Sequence, residues 1–326
     1  MNYYLYKLRF LTPIHFGASN SSRSLESSAM SCCADTLFSA LCCTLARVNG
    51  DRAVEKFCET VKKERLLFSD TMPYYGEKLF IPRPFLSPER QADIQRDPMG
   101  RKAMKKLDYI PLSMWSEYCD YLGGKSSFNA VSARQSFGSS YAVEKVSLKK
   151  QEKPEPYSVG LFSFNGDSGL YGIIGYEDQN ELNDCIELLK LTGHGGIGGK
   201  RTSGYGKFKL SGECEYLDNP KTKDSRLLSE MLIGNFGKWM LITTALPVES
   251  ELDRAVSSGN FRLSRRGGFA YIPGESTPNK KKTQHFFAAG SVFGNRFSGD
   301  LFDVSAGNCK NAVLRYGKPL FLGVKI

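Results

Sequence analysis

Apolar and polar residues alternate in the first third of the chain with periods that change from strand to helix. Aromatic and polar side chains alternate over Tyr3–Phe10, which predicts a strand. Apolar residues then recur at helical spacing, and Asp35 stands where it can cap a helix that runs to about Val48. The same patterns predict a helix over Asp51–Leu66, short strands around Leu66–Ser69 and Lys78–Pro82, and a helical patch over about Arg101–Leu122 with a break at Pro111.

The middle of the chain repeats this mixture. Tyr157–Phe164 and Gly169–Gly175 have the apolar composition of strands, Asn180–Leu191 has helical spacing, and Tyr205–Leu210 alternates like a strand. If the polar segment 126–160 is set aside, the order β, α, β, β, α, β is compatible with a ferredoxin-like unit. Such a sheet can present one face to RNA, as RRM-type modules do.

The C-terminal third differs in composition. A polar stretch at about Asp218–Ser225 marks a domain boundary, and Trp239–Ala245 and Phe261–Ile272 have the pattern of strands. Short strands or turns follow to the end, and little of this part has a clear helical pattern. A divergent second copy of the first fold is compatible with this pattern, which does not by itself establish one.

The segment Gly193–Lys209 combines seven glycines with basic and hydroxyl side chains. Glycine permits positive φ and a close approach of backbone N–H groups to a bound anion, and the cations add charge. The composition therefore predicts a cradle for phosphates. A flexible surface turn, the alternative, would not need so many glycines beside cations.

Known nucleotide-binding motifs do not account for this segment. Its first glycines fit the spacing G-x-G-x-x-G, but that motif lies between a preceding strand and a following helix. Here the predicted order is helix, loop, strand. The P-loop pattern also fails, because His194 replaces its first glycine and Arg201 replaces the Ser or Thr that holds Mg²⁺.

The polar segment Ser126–Gly160 interrupts the predicted sheet and is mostly β-like. Cations interleaved with aromatic rings suit a finger that follows a nucleic-acid backbone and wedges between bases. A solvated hairpin with an ordinary charged face fits the residues equally well. The cations and rings are Arg134, Lys145, Lys149, Lys150, Lys153, Phe128, Phe137 and Tyr141.

The chain as a whole is basic. Its 326 residues carry a net charge of +10 within a normal globular composition, 41% hydrophobic and 24% charged. This excess favours a polyanionic partner, nucleic acid first and an acidic membrane second. The sequence shows neither a signal-peptide pattern nor an apolar run of membrane-spanning length, so we expect a cytoplasmic protein without a membrane partner.

The nine cysteines indicate a reducing compartment, because their number is odd and no secretion signal accompanies them. They include the adjacent pairs Cys32-Cys33 and Cys42-Cys43 but no C-x₂-C pair, which argues against a zinc site. Cys42 and Cys43 lie in a strongly apolar helical pattern, where a small soft side chain packs well. We expect both in the core.

Several motifs together resemble the RAMP superfamily of CRISPR effector proteins. Within that superfamily, the C-terminal motifs resemble the subunit of the type III-A (Csm) complex that caps the 5′ handle of the guide RNA. The resemblance covers nearly the whole chain, although the glycine loop alone marks only the superfamily. Besides the opening strand, the motifs are His15-Phe16-Gly17, Asp35–Leu41, Gly195–Phe208, Arg265–Phe269, Gly290–Phe293 and Val313–Gly323.

This resemblance implies an α+β fold of two ferredoxin-like (RRM-like) domains, 1–217 and 218–326, with a β-hairpin thumb inserted at about 126–160. It implies a non-catalytic subunit for antiviral defence that uses no cofactor or metal and grips the handle of the guide RNA. The implied RNA-binding residues are His15, Gly17, Arg23, Arg134, Phe137, Gly195, Gly196, Gly198, Gly199, Lys200, Arg201, Thr202, Ser203, Tyr205, Arg265 and Arg266; Arg134 and Phe137 would lie on or near the thumb.

The resemblance also implies two protein partners, the large polymerase-nuclease subunit and the adjacent RAMP backbone subunit. A subunit of an assembly exposes apolar surface when it is isolated. The run His285–Ala289 is one candidate for such a surface, with a buried strand as the equal alternative.

Enzymatic alternatives also exist within the superfamily. Some RAMP proteins are metal-independent ribonucleases that process guide RNA, and His15 and His194 could meet across one RNA site as general acid and base. A backbone subunit that cuts target RNA uses an aspartate in a loop after the first strand. Here that loop contains Glu26 but no aspartate, and the chain is too long for a single-domain subunit. A structural protein with an incidental basic patch would leave the composition of the glycine loop unexplained.

Overall fold

A computed structural model of the chain describes residues 1–17, 25–88, 98–147, 154–270, 279–305 and 312–326. The helices are α1 (Ala34–Asn49), α2 (Asp51–Lys62), α3 (Pro98–Lys105), α4 (Trp115–Leu122), α5 (Gln179–Gly195), α6 (Lys223–Ile233) and α7 (Glu249–Ser257). The strands are β1 (Asn2–Phe10), β2 (Phe16–Gly17), β3 (Ser28–Ala29), β4 (Leu66–Phe68), β5 (Met72–Tyr75), β6 (Lys78–Pro82), β7 (Tyr109–Pro111), β8 (Gly138–Ser147), β9 (Glu155–Phe164), β10 (Ser168–Tyr176), β11 (Phe208–Leu210), β12 (Glu215–Tyr216), β13 (Lys238–Leu241), β14 (Gly259–Asn260), β15 (Leu263–Arg266), β16 (Phe269–Ala270), β17 (Asn279–Lys280), β18 (Gln284–Phe287), β19 (Val292–Phe293), β20 (Leu301–Asp303), β21 (Leu314–Tyr316) and β22 (Phe321–Val324).

The N-terminal sheet is built around β1. Its strands lie in the order β11-β1-β10-β5-β6-β7, with β12 beside β1 and β4 beside β10, and all these pairs are antiparallel. The predicted strand over Tyr3–Phe10 is confirmed, as is the order of helix, glycine loop and strand formed by α5 and β11.

Both faces of this sheet are buried. Tyr4, Tyr6 and Leu8 of β1 pack in one core with α1 and α5. Leu5 and Ile173 point to the opposite side, into a second core shared with α6, β13 and β22. This sheet therefore does not present an open face as RRM-type modules do, because the C-terminal half covers the side opposite α1 and α5.

The C-terminal half forms a sheet in the order β14-β19-β13-β22, again antiparallel. The expectation of little helix here is wrong, since both α6 and α7 belong to this half. Thr222 caps α6 by accepting a hydrogen bond from the Ser225 N–H at 3.1 Å, and the Ser225 hydroxyl accepts one in return from the Thr222 N–H at 3.0 Å. Leu228, Met231 and Leu232 then hold α6 in the shared core. The domain division at residue 218 stays a prediction.

A long hairpin, β8 and β9, begins within the polar segment predicted as an insertion. Its register runs from Gly138 opposite Phe164 to Ser147 opposite Glu155. The hairpin therefore extends four residues past the predicted end of the insertion at Gly160, and the predicted strand over Tyr157–Phe164 is confirmed as part of β9. The base of the hairpin joins the start of the chain, because Ile14 pairs with Phe162. Lys149, Lys150 and Lys153 lie outside the described residues.

Two helical predictions change in extent. The second helix ends at Lys62 rather than Leu66, and β4 begins where it was expected to end. The helical patch broken at Pro111 is two helices, α3 and α4, separated by the strand β7, which ends at that proline. The run His285–Ala289 is a buried strand at its centre, since Phe286 and Phe287 belong to the core.

The cysteines of the described residues are all free thiols. Cys43 is exposed, so its predicted place in the core is wrong, and Cys42 is half-buried. In the described part of the chain, no group of three or more His, Cys, Asp or Glu side chains is placed to hold a metal ion. None of the helices described above has the length and apolar character needed to cross a membrane.

Candidate nucleic-acid interface

An open cleft of about 540 Å³ lies where the two halves meet. The segment that follows β1 contributes His15 and, from β2, Gly17. The start of α1 contributes Asp35, and the glycine loop contributes Gly198, Gly199 and Arg201. The C-terminal half closes the other side, and its charged lining residues are Arg266, Lys281 and Arg315. The cleft therefore gathers segments that are far apart in sequence, and it includes six of the sixteen residues predicted to bind RNA.

The glycine loop is fastened to the N-terminal segment by its own backbone. Gly199 N–H donates to the His15 carbonyl at 2.8 Å, and Gly206 N–H donates to the Pro13 carbonyl at 2.8 Å. Ile197 N–H donates to the Gly206 carbonyl at 2.9 Å. These three N–H groups are thus occupied within the protein, and they do not form the predicted phosphate cradle.

The glycines serve this close packing. Gly198 has φ of 91°, and a Cβ atom there would lie 2.6 Å from the His15 carbonyl oxygen. A Cβ atom at Gly206 would lie 2.0 Å from the Ile197 carbonyl oxygen. Only glycine fits such positions. Gly193 and Gly195 belong to α5, so the loop begins at Gly196, later than predicted.

The part of the loop that reaches into solvent is the turn 200–204. Lys200 is in the left-handed region with φ of 58°, and a 3₁₀ turn follows over Arg201–Ser203. Thr202 and Ser203 are exposed, whereas the Arg201 side chain lines the cleft. Side chains of this turn, rather than the glycine amides behind it, are the groups that can meet a phosphate.

His15 is buried in the cleft wall at 6% exposure. Its Nδ1 lies 2.7 Å from the Gly160 carbonyl oxygen, which can only accept, so Nδ1 carries the proton. His194 is exposed in the last turn of α5 and is not among the residues that line the cleft. The cleft therefore does not bring the two histidines together as a catalytic pair.

Asp35 is the centre of a cluster of charges in the cleft. Arg266 donates to its carboxylate through Nε at 3.0 Å and Nη2 at 2.6 Å. Arg315 Nε lies 3.9 Å from Asp35 Oδ2, and its Nη1 donates to the Arg266 carbonyl at 2.8 Å. Arg266 was predicted to bind RNA, but its charge is already paired.

The predicted capping role of Asp35 is wrong, because Asp35 lies within the first turn of α1 and faces Arg266. The carboxylate that accepts the Ala34 N–H, at 2.8 Å, belongs to Asp70. Asp70 also accepts from the Thr244 N–H at 2.9 Å and from the Thr244 hydroxyl at 2.6 Å. Burial raises the pKa of Asp70 to about 6, and the Thr244 and Ala34 hydrogen bonds oppose that rise.

The lining of the cleft is positive. Among the described residues that line it, four basic side chains, those of Arg201, Arg266, Lys281 and Arg315, face the single carboxylate of Asp35. Burial lowers the pKa of Lys281, and the nearby Arg315 charge lowers it further. An anion in the cleft would therefore favour the charged form of Lys281 and relieve the crowding of like charges.

Two contacts join the glycine loop to the hairpin. The Lys200 ammonium lies over the Tyr157 ring, 4.8 Å from its centroid, and the Lys145 ammonium lies over the Tyr205 ring at 4.7 Å. Lys145 and Tyr157 are directly opposite each other in the β8–β9 register. The hairpin is therefore held against the loop by two cation–π pairs.

The remaining predicted residues lie elsewhere. Phe137 is 8% exposed and packs edge-on against Phe80, with ring centroids 4.9 Å apart, so it is a core residue and not a wedge between bases. Arg134 is exposed beside it, just before β8. Arg265 is exposed on β15, opposite His285. Arg23 lies outside the described residues.

Sequence reasoning missed Lys281 and Arg315 as parts of the site. Lys281 stands in a run of three lysines, which was a visible signal of positive charge. Arg315 belongs to the segment Val313–Gly323, which carried the resemblance but gave no sign of a contact with Asp35. Only the fold brings these residues to the glycine loop.

Two family models match the chain. The model of the RAMP superfamily matches residues 7–209, and that of the CRISPR Csm4 C-terminal domain matches residues 235–324. A Mycobacterium tuberculosis protein named CRISPR system Cms protein Csm4 is 33% identical over 327 residues, which cover 99% of this chain and 98% of that protein. The protein of the same name from Streptococcus thermophilus is 30% identical over 334 residues, covering 100% of both.

Solved structures match along the whole chain. One is a chain of the crystal structure of the Csm3–Csm4 subcomplex in the type III-A CRISPR-Cas interference complex, with a TM-score of 0.63, 18% identity and 99% coverage of both chains. Another comes from the Csm1–Csm4 cassette in complex with pppApA, with a TM-score of 0.63, 17% identity, and coverage of 99% of this chain and 98% of the other. At this level of identity the likeness establishes the fold.

Proposed function

Because this chain belongs to the Csm4 family of RAMP proteins, we propose that it is the subunit that grips the 5′ handle of the guide RNA in a type III-A interference complex. The observation that carries the proposal is the positive cleft between the two halves. Arg201 of the glycine loop lines it together with Lys281, Arg266 and Arg315 of the C-terminal half. A single-stranded RNA has a backbone that such cations can follow and bases that can be splayed apart.

The role we propose is binding without catalysis. The names of the relatives give no enzymatic activity. The histidine pair on which a processing ribonuclease would depend is split between the cleft wall and the exposed end of α5. No other observation on the described residues favours a cleavage site, so the ribonuclease alternative serves here as the outcome that an experiment must exclude.

We further propose that the chain docks the large polymerase-nuclease subunit and the adjacent RAMP backbone subunit. The support is the likeness in fold to chains solved in Csm1–Csm4 and Csm3–Csm4 assemblies. Ile233, the last residue of α6, and Phe236 just after that helix are exposed apolar side chains that are available for such contacts.

We infer that each half is a ferredoxin-like unit. In the first sheet the neighbouring strands are β11, β1, β10 and β5. Counted along the chain among these four, they are the fourth, first, third and second strand, which is the ferredoxin-like order, and α1 and α5 are the two crossover helices. In the second sheet β22-β13-β19-β14 repeats that order with α7 as the first crossover. Within the described residues between β19 and β22 there is no second crossover helix. In the first half, we assign the β8–β9 hairpin as the thumb.

A labelled repeat-derived RNA, assayed in EDTA for binding and cleavage in parallel, tests this function. We expect the RNA to stay uncut in a complex that weakens as salt is raised. Absence of binding would contradict the proposal. Cleavage that His15→Ala or His194→Ala abolishes would instead make the protein a processing ribonuclease.

A further inference from the structure

The two cation–π pairs between hairpin and loop form one unit of four side chains, which we call the crossed pairs. Lys145 and Tyr157 project from adjacent positions of β8 and β9, and each contacts the opposite kind of residue on the loop, Tyr205 and Lys200 respectively. All four side chains are half-buried, so none is part of the core. Each tyrosine thus offers a ring face that a cation, and not an apolar side chain, covers.

Such a cover is easily exchanged. An ammonium group over a ring is attracted by the ring quadrupole, whereas a phosphate offers it a full opposite charge and a charge-assisted hydrogen bond. An RNA backbone that enters between the hairpin and the loop would therefore draw Lys145 and Lys200 away from the rings. The vacated faces of Tyr157 and Tyr205 would then be open to bases, and any base can stack on an aromatic face.

We propose that Tyr157 and Tyr205 are base-stacking residues for single-stranded RNA, and that Lys200 and Lys145 cover their faces until RNA phosphates take the two ammonium groups. The proposal rests on the function inferred above and adds to it a specific contact. It assigns Tyr157, which sequence reasoning did not select, and it specifies base stacking as the role of Tyr205 in RNA binding.

A different role for the crossed pairs would be purely structural, to fasten the hairpin to the loop. The two roles differ in what the rings contact when RNA is bound. Stacking depends on the bases of the RNA and not on its phosphates, so loss of the rings should weaken binding without changing the dependence on salt. Loss of the lysines should also weaken binding, but it should make the salt slope shallower by about 0.7 for each phosphate that is no longer neutralised.

The test uses the full chain and a single-stranded repeat-derived RNA that carries 2-aminopurine, whose fluorescence falls on stacking. The double variant Tyr157→Leu with Tyr205→Leu removes both rings, and Tyr157→Phe with Tyr205→Phe is the matched control that keeps them. We expect the Leu variant to bind at least about tenfold more weakly, with an unchanged salt slope and without the fluorescence loss. The Phe variant should behave as the wild type does.

Equal affinity and equal quenching in a folded Leu variant would overturn the stacking proposal while leaving RNA binding intact. Failure of the wild type to bind RNA at all would instead overturn the proposed function. A second measurement needs no variant: the wild type should bind an abasic RNA of the same length about tenfold more weakly than the RNA with bases. Equal affinity for the two RNAs would also contradict stacking.

Discussion

Arg266 and Asp35 form a bidentate ion pair across 231 residues of sequence, with N–O distances of 2.6 and 3.0 Å. The pair lies in the cleft and joins a strand of the C-terminal half to the first turn of α1. The Nε atom of Arg315 lies 3.9 Å from Oδ2 of the same Asp35 carboxylate. One carboxylate therefore compensates two arginines, which fixes the wall of the cleft and leaves positive charge for a ligand.

Removal of either partner should destabilise the fold, but not equally. Asp35→Asn leaves two half-buried or buried arginines without their carboxylate, whereas Arg266→Gln leaves Asp35 beside Arg315. We expect a loss of about 3 kcal/mol in the free energy of unfolding for Arg266→Gln and a larger loss for Asp35→Asn. Urea unfolding of both variants and of the double variant measures this. Strictly additive effects would show that the two residues do not interact.

Asp70 should make stability depend on pH. Its folded pKa of about 6 lies above its ordinary value of 3.8, so its ionisation costs free energy in the folded state. The contribution of Asp70 to stability is complete below about pH 4 and is lost as the pH rises through about 6. Asp70→Asn does not titrate, so its stability relative to the wild type should rise by about 2 kcal/mol between pH 4 and pH 7.5.

Unfolding midpoints at several pH values test the behaviour of Asp70. Asp120→Asn is the control, because the Asp120 side chain is exposed and its ion pair with Lys125 is long, with an N–O distance of 3.6 Å. A difference between Asp70→Asn and wild type that stays constant over this range would contradict the assignment.

Cys43 offers a chemical probe of the cleft, because it is an exposed thiol in its lining. RNA bound in the cleft should slow the alkylation of Cys43 by iodoacetamide severalfold. Cys119 lies outside the cleft, and burial raises the pKa of its thiol to about 11, so it should react slowly whether RNA is present or not. Peptide mass spectrometry resolves the two sites. Equal labelling of Cys43 with and without bound RNA would place the RNA elsewhere.

The sequence pattern predicted those helices and strands whose formation depends on residues close together in the chain. The alternation of β1, the apolar helix α1 and the order of α5, glycine loop and β11 follow from periodicity and turn residues within short windows. Helix α7 was missed because most of its side chains are polar and its only buried residue is Ala255. Helix α6 had a signal that was not used, the reciprocal cap of Thr222 and Ser225.

The candidate site was harder to predict because it depends on distant contacts. The sequence singled out His15, Arg201 and Arg266, which do line one cleft. It gave no means to see that Arg266 is paired with Asp35, or that Asp70 contacts Thr244, 174 residues away. It also could not distinguish Phe137 in the core from an exposed ring, since both fit an aromatic beside polar residues.

The salt dependence of RNA binding tests the central claim most directly. We compare the wild type with two double variants. Arg201→Gln with Lys281→Gln removes two cations of the cleft, and Lys62→Gln with Lys125→Gln removes two exposed lysines that do not line the cleft. If RNA binds in the cleft, the variant without the two cleft cations should bind more weakly, and its slope of log affinity against log salt should be shallower by about 1.4. The other double variant should behave as the wild type does. The same affinity and slope in all three folded proteins would contradict the cleft as the RNA site.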